Sequence, residues 1–460
     1  MRERGSVLVA LLWCMALLSL LVIGVLHSSR MGLMSVRHHG DAVQARYLAL
    51  AGVEKAKALL YQDARQRSRS AQSHGRALAD APDQFQDIPL GRGRYSVVRA
   101  ARADEGGGMV YGVSDEESRL NVNVASAEEL LRLEGMTSDV VAAILDWRDG
   151  DQSPGPGGAE ADYYAVGRNP VRIRDGPLET IRELLMVRGV RSEDLFGDDT
   201  QGTGFREVDS VEGEVEGESE PIRQPAADRG WAGSLTVRSA VANVSASGRS
   251  RVNLKTADES ALTGVQGITA EIAKAIVAHR GRGSLDSVAD LLEVRQAPAA
   301  GPGQGGPGGP EGNPAAEAPR PGGPPENNGP KVIDANLLRD IADEVTTSDE
   351  EELVGVVNVN SAGLEVLRCL PGMTRELAQA LISYRSSNGS LPNIAHLLLV
   401  PGITEETFKQ LAPRVTARSE THRILGEGRM PGTGAVRRVE VVVRVTGSEV
   451  RTVAYREDDL

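Results

Sequence analysis

The sequence predicts an α+β chain: a long N-terminal helix packed on an antiparallel sheet, with a large all-α insert interrupting that sheet. Three observations predict it. A helical pattern fills most of the first eighty residues, β-branched alternation appears near residue 95 and again near residue 440, and an internally repeated helical pattern lies between.

The helix starts in an apolar run. Val7–Leu26, VLVALLWCMALLSLLVIGVL, is twenty residues without a charge. At 1.5 Å per residue it spans about 30 Å, the hydrocarbon thickness of a bilayer. A secretory signal peptide would have a shorter apolar core and a small-x-small cleavage site. His27-Ser28-Ser29-Arg30 is a poor one, so a retained membrane helix is the favoured reading. Arg30 and Arg37 weaken the Lys/Arg asymmetry that sets orientation. From Met31 to about Arg76 there is no Pro, and Val36, Leu48, Val53, Leu59 and Leu60 recur at mostly helical spacing. Two readings stand here: an ordinary amphipathic helix after an anchor, or one continuous helix docked on a globular head.

Strands come from both ends of the chain. Gly91–Ala103 and Gly108–Val113 read as short strands. Arg437–Val445, a turn at Gly447-Ser448, and Glu449–Tyr455 read as a hairpin. One sheet interrupted by an inserted domain is the economical reading.

The insert repeats a template. Leu120-Asn121-Val122-Asn123, Val252-Asn253-Leu254-Lys255 and Val357-Asn358-Val359-Asn360 each precede a short helix and a Gly-centred turn. Those turns carry Gly135, Gly267 and Gly372, and Gly189 and Gly402 mark two more. A second helix with Ala and Ile on one face follows the first three. Arg206–Glu220 holds seven acidic residues and reads as a solvated loop. Ala297–Pro330, with ten Gly and ten Pro in 34 residues, reads as a linker.

Composition excludes whole classes. The net charge of −13 argues against a general polyanion binder. Two distant cysteines, Cys14 and Cys369, exclude an intrachain disulfide framework and a Cys-based zinc cluster; Cys369 reads as a small buried hydrophobe. No Gly-x-Ser-x-Gly, Walker A loop or His-Glu-x-x-His is present, and the seven His are scattered, so the chain reads as no enzyme.

One constellation suggests a metal. Asp149, Asp151, Glu160 and Asp162 fall within fourteen residues on Gly-containing loop. Hard oxygen ligands suit Ca²⁺, although the spacing is not that of an EF-hand. A solvated acidic loop fits the spacing equally well, and Arg148 could pair with one carboxylate.

Two resemblances sharpen this. The short leader Arg4-Gly5-Ser6, the apolar helix and ARYLALAGVEKAKALL (Ala45–Leu60) resemble type IV pilin-like proteins, most of all the K-type minor pseudopilin of type II secretion. That resemblance implies a pilin-like head and cleavage by prepilin peptidase between Gly5 and Ser6. It implies a single-pass inner-membrane anchor with the rest periplasmic, I- and J-type minor pseudopilins as partners, and a place at the pseudopilus tip. Counting from Ser6, the fifth residue is Ala10 where most pilins have Glu; the K type lacks that Glu. The WRD-x-D…GAE-x-x-Y pattern from Trp147 to Tyr163 resembles the same family and implies calcium. The repeats resemble helix-hairpin-helix modules, especially the competence-type form that binds DNA. Those modules carry a second Gly in the hairpin, replaced here by Thr137, Arg191, Thr269, Thr374 and Thr404. No nucleic acid is expected; a membrane-anchored DNA receptor is the alternative, with Lys274, His279, Arg280 and Arg282 its best basic face.

The expected organisation is a leader at 1–5, a membrane and head helix at 6–80, sheet at 81–114, insert at 115–413, and closing strands at 414–460. Repeats are expected near 119–195, 251–293 and 356–413, with linkers at 199–232 and 297–330.

Overall fold

The structure, a computed structural model, describes residues 4–70, 78–102, 105, 108–166, 170, 172–197, 205–208, 222–225, 230–281, 283, 285–296, 329–447 and 449–457. Met1–Glu3, the tail of the expected helix at 71–77, Ala103, most of the two expected linkers and Ser448 lie outside the described residues.

A single helix, α1, runs over Arg4–Ser70. Leu8–Gly40 is exposed along its length, and Ala45, Ala49, Val53, Ala56 and Leu60 are buried against a sheet. The continuous-helix reading is therefore the correct one. The sheet is built from β1 (Ile88–Leu90), β2 (Gly93–Ala100), β3 (Met109–Val110), β4 (Ser114–Asp115), β5 (Thr421–Met430), β6 (Ala435–Val445) and β7 (Val450–Arg456). The main order is β1-β2-β5-β6-β7, antiparallel throughout; β3 pairs with β2 and β4 with β5. N- and C-terminal strands thus interleave, with Gly426 opposite Val97 and Val441 opposite Ile424.

Alternation on β6 divides the sheet into two faces. Val439, Val441, Val443 and Val445 are buried in the core with α1. Arg438, Glu440 and Arg444 lie on the opposite face and pair with Glu427, Arg423 and Glu352. Glycines bring α1 close. A Cβ on Gly426 or Gly428 would run into the backbone carbonyls of Ala49 and Ala45.

The insert leaves the sheet at Asp115 and returns at Thr421. It is three copies of one unit sharing a continuous core. Each copy opens with a two-residue strand carrying the first Asn and closes with a parallel partner ending in Thr. The pairs are Leu120–Asn121 with Leu235–Thr236, Val252–Asn253 with Val345–Thr346, and Val357–Asn358 with Val415–Thr416. This moves the expected boundaries. The third unit runs on to Thr416, past 413, because its closing strand pairs inside the insert. The second unit includes the helix Ala335–Ile341 beyond the 297–330 segment. Both segments expected as linkers fall inside units. The ends of the second are pinned together, with Gln296 N–H donating to Pro330 O at 3.0 Å and Val332 N–H to Val294 O at 3.1 Å. The first contains an antiparallel ribbon, Phe205–Val208 with Ile222–Pro225, so the segment expected as a solvated loop from Arg206 begins within a strand. It ends at Trp231, whose buried indole donates to Glu134 O at 2.9 Å.

Candidate functional site

In every unit the first Asn folds its carbonyl back onto the amide two residues on: Asn121 to Asn123 at 3.0 Å, Asn253 to Lys255 at 2.8 Å, Asn358 to Asn360 at 2.9 Å. Its amide donates across the ladder to Ser239, Asp349 or Ser419. At the end of the second helix an arginine donates to the carbonyl just after the opening strand, 26 residues upstream: Arg148 to Val122 O, Arg280 to Leu254 O, Arg385 to Val359 O. That constant spacing is a third periodic element of the sequence.

The committed arginine decides the surroundings of the acidic loop. Arg148 also donates to Ala125 O at 2.7 Å, so its guanidinium is turned onto backbone carbonyls although Asp149 is adjacent in sequence. The helix Ser138–Arg148 ends at Asp149, and a Gly-rich loop carries the chain to Glu160, which starts the turn Ala161–Tyr164. Carboxylate oxygens of Asp146, Asp149 and Glu160 come within 4.8 Å of one another. Asp146 is buried and accepts from Gly155 N–H at 3.2 Å. A Cβ on Gly158 would strike its carboxylate.

Glu160 is 5 % exposed, and neither of its oxygens has a hydrogen-bond partner. Burial, then Asp146, Asp149, Asp175 and Asp151, raise its pKa above the ordinary carboxylate range. Beneath it Trp147 meets Tyr164 edge to face at 5.1 Å. Arg188 donates to Gly158 O at 2.9 Å and its amide to the Tyr164 hydroxyl at 3.0 Å. The Asp175 Oδ1 is a further buried oxygen without a partner.

Of the four expected ligands, the fold brings Asp149 and Glu160 together. Asp151 is exposed, and its Oδ1 accepts from Ser153 N–H at 2.7 Å. Asp162 is exposed and outside the cluster. Asp146 was not among the expected residues because it sits inside the helix; its three-residue spacing from Asp149 was the available signal. A buried, unpartnered carboxylate facing two others, with its neighbouring cation turned away, fits a hard divalent cation.

The hairpin threonines do something else. Their hydroxyls accept from the amides of Val140, Ile272, Leu377 and Thr407, capping the helices that follow. The amide a phosphate would need is taken internally. Arg280, expected on a basic face, is spent on Leu254 and Ala257 carbonyls, and Arg282 lies outside the described residues.

Gly5, Ser6 and Ala10 all lie in the first turns of α1, which contains one segment long and apolar enough to cross a membrane. The fold and site together define the class: a pilin-like chain on an N-terminal apolar helix, carrying an insert of helix-hairpin-helix units.

Within that class the chain resembles the K-type pseudopilin of type II secretion. Residues 110–195, from the end of β3 through the larger part of the first unit, match the family model "Type II secretion system (T2SS), protein K". Residues 247–299 and 354–416, in the second and third units, match the "Helix-hairpin-helix motif" model. The chain is 24 % identical over 203 residues to type II secretion system protein K of Pseudomonas aeruginosa, covering 40 % of this chain and 57 % of that one. It is 25 % identical over 214 residues to the protein K of Pectobacterium carotovorum, covering 42 % and 60 %. The chain therefore spans under two thirds of the length of these relatives. ComE operon protein 1 of Bacillus subtilis is 35 % identical over 63 residues, 14 % of this chain and 31 % of that one. The GspK-GspI-GspJ complex of enterotoxigenic Escherichia coli aligns with a TM-score of 0.45 at 11 % identity, over 92 % of this chain and 99 % of that one.

Proposed function

We propose that this chain is a minor pseudopilin of the type II secretion system, acting by assembly and not by catalysis. One observation carries the reading: the stretch that matches protein K is joined at Asp115 to a sheet packed on a membrane-length helix. On this reading α1 anchors the chain in the inner membrane by a single pass, with the head and insert in the periplasm. Prepilin peptidase cuts between Gly5 and Ser6, and I- and J-type minor pseudopilins are the partners.

The reading extends to the tip of the pseudopilus. A charge left unpaired inside a bilayer costs about 2.5–3.5 kcal/mol on insertion scales, which favours docking of a neighbour's terminal ammonium onto a membrane Glu. Ala10 offers no such charge to a subunit above it, and the insert obstructs stacking on top.

Asp146, Asp149 and Glu160 would hold a calcium ion, which supplies the positive charge that this carboxylate group lacks. Gly155 and Gly158 make room for Asp146, and Arg188 fixes the loop through Gly158.

The test has two arms. N-terminal sequencing of the membrane form should begin at Ser6, and the full chain should co-purify with the I- and J-type subunits of the same system. A mature form beginning at Met1 rejects the reading. Retention of duplex DNA at about 0.15 M salt and micromolar protein would favour the DNA-receptor alternative instead.

A further inference from the structure

The polar face of the sheet and the first unit enclose a cleft lined by Arg99, Arg119, Arg182, Arg423 and Arg456, with Glu440 as its one acidic lining residue among those described. The five guanidinium groups come from different places: β2, the turn after β4, the 3-10 helix Ile181–Met186, β5 and the end of β7. No local sequence repeat forces this convergence.

The nearby carboxylates are already engaged. Arg423 holds Glu116 through Nε at 2.9 Å and Nη2 at 3.1 Å, and the Thr236 hydroxyl donates to the same carboxylate at 2.5 Å. Arg119 reaches Glu116 only at 3.5 Å, and its side chain is 11 % exposed. Glu440 lies between Arg423 at 3.6 Å and Arg456 at 3.9 Å. Arg99 is closed by Glu105 at 2.7 Å, and Arg182 stacks over Phe196 at 5.2 Å. Burial and the neighbouring Arg423 both work against the charge on Arg119.

We propose that this cleft is a binding site for a small tetrahedral oxyanion of the phosphate or sulfate class. Guanidinium forks match such oxygens in bidentate fashion, and a partly desolvated cleft strengthens each contact. Size sets the class. The cavity measures about 50 Å³. With roughly 10–15 Å³ needed per water, it holds three to five water-sized groups, one phosphate and not a nucleotide. The ion would join the head sheet to the first unit, since β5, β7 and the 3-10 helix all contribute to its cage.

The full chain in detergent should be titrated with inorganic phosphate, sulfate, acetate and chloride at constant ionic strength, read by calorimetry and thermal unfolding. Phosphate and sulfate should bind saturably and raise the melting temperature. Arg119→Gln and Arg182→Gln should each weaken phosphate at least tenfold. Arg182 is at the rim and half-buried, so it decides the matter if Arg119→Gln does not fold. Glu440→Gln should tighten binding, because it removes the one carboxylate from the lining. Chloride or acetate matching phosphate would overturn the proposal, as would an unchanged affinity in Arg182→Gln.

Discussion

Arg414, at the end of the third unit, grips Glu129 of the first unit through two parallel hydrogen bonds of 2.8 Å. Glu129 is buried, and its Oε2 also accepts from Ser126 N–H, closing a capping box at the start of Ala127–Leu131. One carboxylate thus caps the start of a helix locally and ties residues 285 positions apart. Removing one partner of a buried pair costs more than the pair contributes, because the other charge stays buried. Arg414→Ala should therefore destabilise by about 3 kcal/mol in urea unfolding, and Arg414→Lys should recover only part of it, since one ammonium cannot span both oxygens. A loss below about 1 kcal/mol would mean that the two units do not depend on this contact.

Gly428 makes the contrasting prediction, a loss through added volume. Its missing Cβ lets α1 lie on β5, with the Ala45 carbonyl and the Ala49 amide against it. Neither backbone group can rotate away. Gly428→Ala should cost 1–3 kcal/mol or more by overpacking. Gly432, with open space around it, is the control and should tolerate Ala within about 0.5 kcal/mol. Equal effects at the two positions would refute the close approach.

These two contacts show what was legible. The α1 pattern and β6 and β7 were readable because each follows a period that burial enforces, and the three opening segments were readable as a repeated template, though not as strands. β5 was not, although it is the central strand. Its sequence THRILGEGRM carries two glycines and three charged residues where a core strand should show branched ones. The reason is physical: the glycines face α1, and Glu427 pairs with Arg438 across the ladder. The closing strands Leu235–Thr236, Val345–Thr346 and Val415–Thr416 were missed because two residues carry no period. Two of the three clustered carboxylates, Asp149 and Glu160, were found from loop composition; Asp146 was hidden by its apolar helix neighbours.

Glu116 should give the pH dependence of the junction between sheet and insert. Burial works to raise its pKa, but Arg423 and Arg119 outweigh that and hold it at about 2, below its ordinary value of 4.5. A depressed carboxylate contributes stability above its unfolded value, and the contribution is lost as pH falls through the folded one. The window is therefore from about 4.5 down to about 2. Glu117 next to it has the opposite sign, since burial and Asp115 raise it. Glu116→Gln should cost on the order of 3 kcal/mol at pH 7, and the difference from the native chain should shrink as unfolding is repeated toward pH 3. A difference independent of pH would show that the ion pairs do not set it.

Calcium separates two effects of the same carboxylate. Without an ion, Glu160 is buried, unpartnered and repelled by Asp146 and Asp149, so its charge opposes folding at neutral pH. With an ion, the same charge is what binds. Glu160→Gln should therefore raise the melting temperature of calcium-free protein and at the same time remove the response to calcium. Asp146→Asn should also remove the response. Asp162→Asn should leave it intact, because Asp162 stands outside the cluster. For the native chain, an ion at one hundred times its dissociation constant stabilises by about 2.7 kcal/mol, provided it binds only the folded state. Scanning calorimetry with calcium and with a chelator measures all four proteins. Identical curves for the native chain in the two conditions would reject the site, and a lost response in Asp162→Asn would restore it to the ligand set.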